Sequence, residues 1–184
     1  AAAEAFEDAL INGQVSGLID VGYTATTPQG LCDGFRKMAS MSSLLQLDIS
    51  GALEIADLIA VRKKMGKWGM RPSDTIIIAG YKAYNDIVGF EQTNATDKYV
   101  FPDSTGLTPK VFGMDVIPSA LLADVAATGL VAGSGNDKGQ LLMVHKPSFV
   151  VGVRRNFTVE TDRDITTQSN KVVASFRRDF QALE

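Results

Sequence analysis

Hydrophobic and polar positions alternate most plainly in the last third of the chain. In "VVGVRRNFTVETDRD", which runs from Val150 to Asp164, Val151, Val153, Phe157 and Val159 recur on one side of a pleat. Arg154, Asn156, Thr158, Glu160 and Asp162 occupy the other side, and Arg155 interrupts the apolar row. The pattern predicts one long strand, and a second follows from about Lys171 to Phe180. Mixed charge on so long a strand suits three readings: a nucleic-acid surface, an acidic metal site, or an interface with another protein.

Upstream, the period changes from two toward 3.6 and back. "AAAEAFEDALINGQ" is built of helix formers with an apolar stripe of Phe6, Ala9 and Leu10. Asn12-Gly13 reads as its stop, with glycine available for the left-handed position. Without an N-cap this looks like the last turns of a longer helix, so the chain is expected to be a fragment or processed product. "GLIDVGYTATTPQG" reads as an extended stretch, with Thr27-Pro28 as the start of a helix weakened by Gly30 and Gly34. Leu31, Phe35, Met38 and Leu45 would form that helix's apolar face.

A clearer helix is predicted from about 52 to 65, with Ile55, Leu58, Ile59 and Met65 on one side and Gly66 and Gly69 closing it. "RPSDTIIIAG" holds a short β-branched run, Thr75 to Ala79, that predicts a buried central strand. "YKAYNDIVGF" reads as a short helix ending at Gly89, and residues 91–108 as a polar surface loop. "PKVFGMDVIPS" reads as a strand broken by Gly113 and stopped by Pro118. "TGLVAG" and "GQLLMVH" read as two more strands, joined by the loop "GSGNDKG". Without a regular βαβ repeat, the fold class expected is α+β mixed, a domain with a long β-hairpin appended.

Composition narrows the function classes. The chain has 184 residues, 45% hydrophobic and 21% charged, a globular balance with enough length for a sizeable core. No apolar run approaches the roughly 20 residues of a membrane helix. Eighteen basic against twenty-one acidic residues give a net charge of −3, which argues against a dedicated nucleic-acid binder. One cysteine and one histidine exclude a disulfide framework and a multi-ligand zinc site.

Candidate chemistry is thin. Any Ser-His-Asp or Cys-His apparatus would need His145, which stands at a strand end beside a Lys-Pro turn and reads as a residue without catalytic duty. Cys32 reads as a small packed thiol. "VAGSGNDKG" lacks the spacing of a phosphate loop and reads as a hairpin loop. Glu160, Asp162 and Asp164 alternate and could face a hard cation, but Arg163 and its neighbours would compete. Arg62, Lys63, Lys64, Lys67 and Arg71 around Trp68 could contact phosphates, and a solvated helix end explains them better. No catalytic, cofactor-binding or metal site is predicted.

From residue 151 to 184, six basic residues (Arg154, Arg155, Arg163, Lys171, Arg177, Arg178) stand against five acidic ones (Glu160, Asp162, Asp164, Asp179, Glu184). So even a balance suits neither DNA nor a cation. It leaves a solvated hairpin with incidental ion pairs, or partners that meet in a fixed register.

The order of motifs then matters. A helix ending "AFEDALINGQ" precedes "MRPSDTIIIAGYKAYNDIVG", then "KVFGMDVIPSALLAD", then "GQLLMVHKPSFVVGVRRNFTVETDRD" and "KVVASFRRDFQAL". This order resembles the major capsid proteins of tailed bacteriophages, the Hong Kong ninety-seven type shell fold. The resemblance covers nearly the whole chain, with Gly113 to Ser119 matching a glycine-valine-serine/proline stretch of the family's axial domain. It implies the end of a spine helix over 1–12, an axial domain over 13–149 with a mixed sheet flanked by helices, and returning peripheral-domain β-strands over 150–184.

The implied function is structural: a head-shell subunit of a phage or prophage that self-assembles into an icosahedral shell around DNA, without enzymatic activity or cofactor. Implied partners are copies of itself in pentamers and hexamers, with scaffold, portal and decoration proteins as further candidates. Neither sequence-specific nucleic-acid binding nor a membrane is implied. The location would be the virion capsid, made in the cytoplasm of a bacterial host. Arg154, Arg155, Glu160, Asp162, Arg163, Asp164, Arg177 and Arg178 are the expected subunit-interface residues. An encapsulin-like compartment shell is the rival within that fold. From other classes, the rivals are a small α/β enzyme, which needs His145 clustered with Ser or Asp side chains in a pocket, and a nucleic-acid binder.

Overall fold

A computed structural model describes residues 2–15, 30–49, 51–93, 100–102, 109–126, 135, 137–164, 166 and 169–183. The β-branched run Thr75–Ala79 forms strand β1, which lies inside a mixed sheet. Its backbone pairs in parallel with β4 (Met114–Pro118), Ile77 opposite Val116, and antiparallel with β5 (Leu141–His145), Ile77 opposite Met143. Two short strands, β2 (Val100–Pro102) and β3 (Pro109–Val111), extend the sheet in the order β2-β3-β4-β1-β5.

Pleating divides β1 between two layers. Ile77 and Ala79 meet Leu58 of helix α3 (Ile55–Lys64) and Ala83 and Ile87 of helix α4 (Tyr81–Thr93), in a cluster completed by Val111, Met114 and Val116. Ile78 turns the other way, onto Val144, Leu122 and Ile11 of helix α1 (Ala2–Asn12), with Phe35 of helix α2 (Phe35–Ser40) beside them. Each large side chain so buried contributes about 1.5–3 kcal/mol relative to exposure. The result is a sheet flanked by helices, of mixed α and β class.

A buried polar network ties α1 and α2 to this sheet. Asn12 is 3% exposed and donates from Nδ2 to Asp8 Oδ1 at 2.8 Å and to the Leu121 carbonyl at 2.7 Å. Arg36, also buried, donates to Asn12 Oδ1 at 3.1 Å and to Gln140 Oε1 at 2.8 Å. Gln140 in turn donates to the Ala123 carbonyl at 2.6 Å. Such groups are retained inside a core because each finds a partner.

Several sequence expectations change. Helix α1 ends at Asn12-Gly13 as predicted, but Gly13 is absent from the positive-φ residues. It is glycine because a Cβ there would lie 2.0 Å from the Cys32 carbonyl oxygen and 2.4 Å from that of Ala9. At this crossing the Gly34 amide donates to the Gly13 carbonyl at 2.9 Å. Gly34 therefore does not weaken α2; it is the N-cap from which the helix starts. Thr27-Pro28 lies outside the described residues, as does "TGLVAG".

Helix α3 is bounded by a capping box of Glu54 and Asp57 and by Gly66 at φ +59°. Helix α4 runs through Gly89 to Thr93, because Phe90 beyond the glycine still packs on the core and outweighs the roughly 1 kcal/mol a helical glycine costs. Within the expected surface loop at 91–108, residues 91–93 instead end α4 and residues 100–102 form strand β2, while 94–99 and 103–108 lie outside the described residues. "PKVFGMDVIPS" is a hairpin and not one broken strand: Phe112 (φ 52°) and Gly113 (φ 78°) form the two-residue turn, with Val111 opposite Met114. Phe112 takes a backbone conformation costly to a side-chain-bearing residue while its ring packs on the core.

The C-terminal hairpin forms a separate two-stranded sheet of β6 (Phe149–Asp164) and β7 (Ser169–Ala182). It is as long as the alternation predicts, and slightly longer at both roots.

Candidate subunit interface: the charged hairpin

Three rings fix the root of the ribbon. Phe35 of α2 meets Phe149 edge-on, with centroids 4.9 Å apart, and Phe180 at 5.1 Å. Phe149 and Phe180 stack at 5.5 Å across the two strands. Ala9 of α1 and Cys32 close the cluster. Burial, reinforced by Asp179 and Asp33 nearby, pushes the Cys32 thiol above its ordinary pKa. Aromatic pairs of this kind contribute about 0.5–1.5 kcal/mol beyond their area, so the ribbon leaves the domain from a rigid base.

Above the root, the register shifts twice. Val153 pairs with Arg178, Arg155 with Arg177 and Thr158 with Ser175, so β6 carries one extra residue at each of two steps. One bulge reverses the alternation of faces and two restore it. Val151, Val153 and Val159 therefore keep one face, opposite Phe180, Arg178 and Ala174 of β7. Arg155 falls between the bulges onto the other face, opposite Arg177. The arginine that breaks the apolar row in the sequence does not break it in space. The side chains of Phe157 and Asp164 lie outside those described.

The balance of charge along the sequence hides a segregation. Antiparallel pairing collects Arg154, Arg155, Arg177 and Arg178 in one belt beside the bulges, and Arg154, Arg177 and Arg178 with Gly152, Val153 and Asp179 surround an open concavity there. The distal half carries Glu160, opposite Val173, and Asp162, opposite Lys171, on the face that Arg155 shares. Arg155 reaches Glu160 Oε1 at 3.1 Å, an exposed pair of small energetic weight. Arg178 sets its guanidinium 5.2 Å from the Phe6 ring of α1. Arg163 shares the valine face, opposite Asn170. The expected interface residues are thus divided between two faces, and one of them, Arg178, already has an aromatic contact within the chain.

Both faces of the ribbon are open. Val151 (42%), Val153 (53%), Val159 (54%) and Val172 (66%) are exposed on one side, Val150 and Val173 on the other. Like charges placed directly across a ladder are destabilising, and Arg155 with Arg177 is such a pair.

The remaining sequence candidates disperse. His145 Nδ1 lies 2.7 Å from Ser148 Oγ within its own turn, and its ring rests on Trp68 at 4.9 Å. Among the described residues no carboxylate bonds the ring's other nitrogen, as a triad would require. Arg62 donates to the Gly69 carbonyl, Lys64 to the Leu44 carbonyl, and Lys67 lies over Trp68, so the basic run is largely engaged locally. Among the described residues no three His, Cys, Asp or Glu side chains converge as metal ligands, and no helix is long and apolar enough to cross a membrane.

Sequence reasoning missed the Phe35–Phe149–Phe180 cluster and the Asn12–Arg36–Gln140 network. Their members are far apart along the chain, and no local period marks them. Comparison with protein-family models and with curated proteins returns no match.

Proposed function

We propose that this chain is a structural shell subunit of the tailed-phage capsid type, whose work is self-association and not catalysis. The observation that carries the reading is the ribbon: two strands of 16 and 14 residues on an aromatic root, exposed on both faces and bearing a belt of four arginines. A monomeric domain gains little from so long a two-stranded sheet, because an isolated hairpin is marginal in water. A subunit in a closed assembly gains contact area from it, and many modest contacts add through repetition. The order of sequence motifs supports the same reading, as does the mixed sheet between helices that precedes the ribbon.

Electron microscopy and mass photometry of the protein expressed from its complete reading frame test the proposal. Rings of pentamer or hexamer size, or closed shells, are expected. Monomers at all accessible concentrations refute it. Replacing Arg154 and Arg155 together by Glu should abolish the assemblies while leaving the circular dichroism spectrum unchanged. Loss of the folded spectrum in that variant would instead make the belt part of the domain's own stability.

A further inference from the structure

Resting on the self-association reading, we propose which element of the neighbour the basic belt meets. The polar face of the ribbon docks on the same face of a second copy turned end for end, so that Arg155 of each ribbon exchanges its exposed 3.1 Å contact with its own Glu160 for Glu160 and Asp162 of the other.

The geometry of that face is reciprocal. Thr158 and Ser175 stand opposite each other near its middle, their hydroxyl oxygens 3.0 Å apart. The bulge between Arg155 and Thr158 takes up one residue, so Arg155 (opposite Arg177) and Glu160 (opposite Val173) flank Thr158 at the same ladder spacing, and Asp162 (opposite Lys171) lies one same-face step further out. A copy reversed about Thr158 brings its Arg155 over Glu160, with Asp162 the next side chain on that face, twice per pair of ribbons. Thr and Ser at the centre are short, so the faces can approach to the roughly 10 Å at which stacked sheets pack, within reach of an arginine.

Charge supplies the selection. The whole chain is net −3, so two copies repel at long range and associate only where opposite charges are matched locally. Arg154 and Arg177 have no partner among the described residues, and Arg177 faces Arg155 across the ladder. An acidic row laid over this belt removes that repulsion, and complementary charge fixes orientation and register more than it adds affinity. A phosphate backbone fits worse, because Glu160 and Asp162 share the face with Arg155 and would repel it.

The test uses two variants of the full chain that break the contact from opposite sides: Arg155→Glu, and the pair Glu160→Arg with Asp162→Arg. Each alone sets like charges against like, and its association should weaken at least about tenfold in sedimentation velocity. Mixed in equal amounts, they restore opposite charges at both contacts, and association should return to near the wild-type level. Raising salt should weaken the wild-type contact and the mixed contact alike. Wild-type assembly that neither variant disturbs, or a mixture that stays dissociated, overturns this contact and leaves the shell-subunit reading standing. A wild-type chain that never associates overturns both. Salt-sensitive DNA binding that Arg155→Glu abolishes, without any change in association, assigns the belt to nucleic acid and overturns the inference.

Discussion

Replacing Gly13 by Ala and, separately, by Asn distinguishes two reasons for glycine at the end of α1. A helix-terminating glycine in the left-handed conformation tolerates Asn at a cost of about 1 kcal/mol or less. The structure assigns Gly13 a different role, since its missing Cβ is where the backbone of Cys32 comes within 2.0 Å and that of Ala9 within 2.4 Å. Neither neighbour is a flexible side-chain tip. Any Cβ must push α1 and the start of α2 apart by more than an ångström, stretching the 2.9 Å hydrogen bond from Gly34 to Gly13. Overpacking of this kind costs about 1–3 kcal/mol, and a lost buried hydrogen bond adds about 0.5–1.5 kcal/mol, giving roughly 2–4 kcal/mol for either substitution.

With a urea m-value of about 2 kcal/mol/M, the unfolding midpoint should fall by roughly 1–2 M, followed by far-UV circular dichroism. Gly51→Ala is the control: nothing lies within 4 Å of its Cβ position, and its midpoint should hardly move. An Asn variant close to wild type beside a destabilised Ala variant would refute the close-approach argument. So would an Ala variant that costs less than about 1 kcal/mol.

Phe180→Ala removes one ring of the root cluster at a site only 6% exposed, and should cost about 3–5 kcal/mol; hydrogen exchange should quicken through β6 and β7 before the five-stranded sheet, and uniform quickening would sink the idea of a distinct root. Cys32 gives a pH test. Its folded pKa is raised, so its contribution is fully present below the unfolded value of about 8.5 and is lost as pH rises through the folded one. Stability should therefore fall more steeply above about pH 9 in the wild type than in Cys32→Ala, and parallel curves would contradict it.

Local chemistry made much of the architecture legible in advance. The β-branched run at Thr75–Ala79 could be little but a buried strand, the glycine after α3 marks a left-handed stop, and the period of two from Val151 onward predicts the long ribbon. Less legible were features that depend on what lies opposite. Strand β2 is short and owes its existence to pairing, Val100 opposite Val111. The turn at Phe112-Gly113 looked like an interruption because one positive-φ residue is not a glycine.

The candidate interface divides the same way. Sequence alone determined that the ribbon is long, that it is nearly neutral, and that His145 and Cys32 stand without a recognisable catalytic signature, because strand period, charge count and motif spacing are properties of neighbours along the chain. Tertiary structure decided where those charges go. Two bulges move Arg155 to the polar face, antiparallel register gathers Arg154, Arg155, Arg177 and Arg178 into one belt, and Phe35, Phe149 and Phe180 converge to hold its base. Register and convergence arise from pairing across more than a hundred residues in the case of Phe35 and Phe149, and no local pattern encodes a partner at that distance.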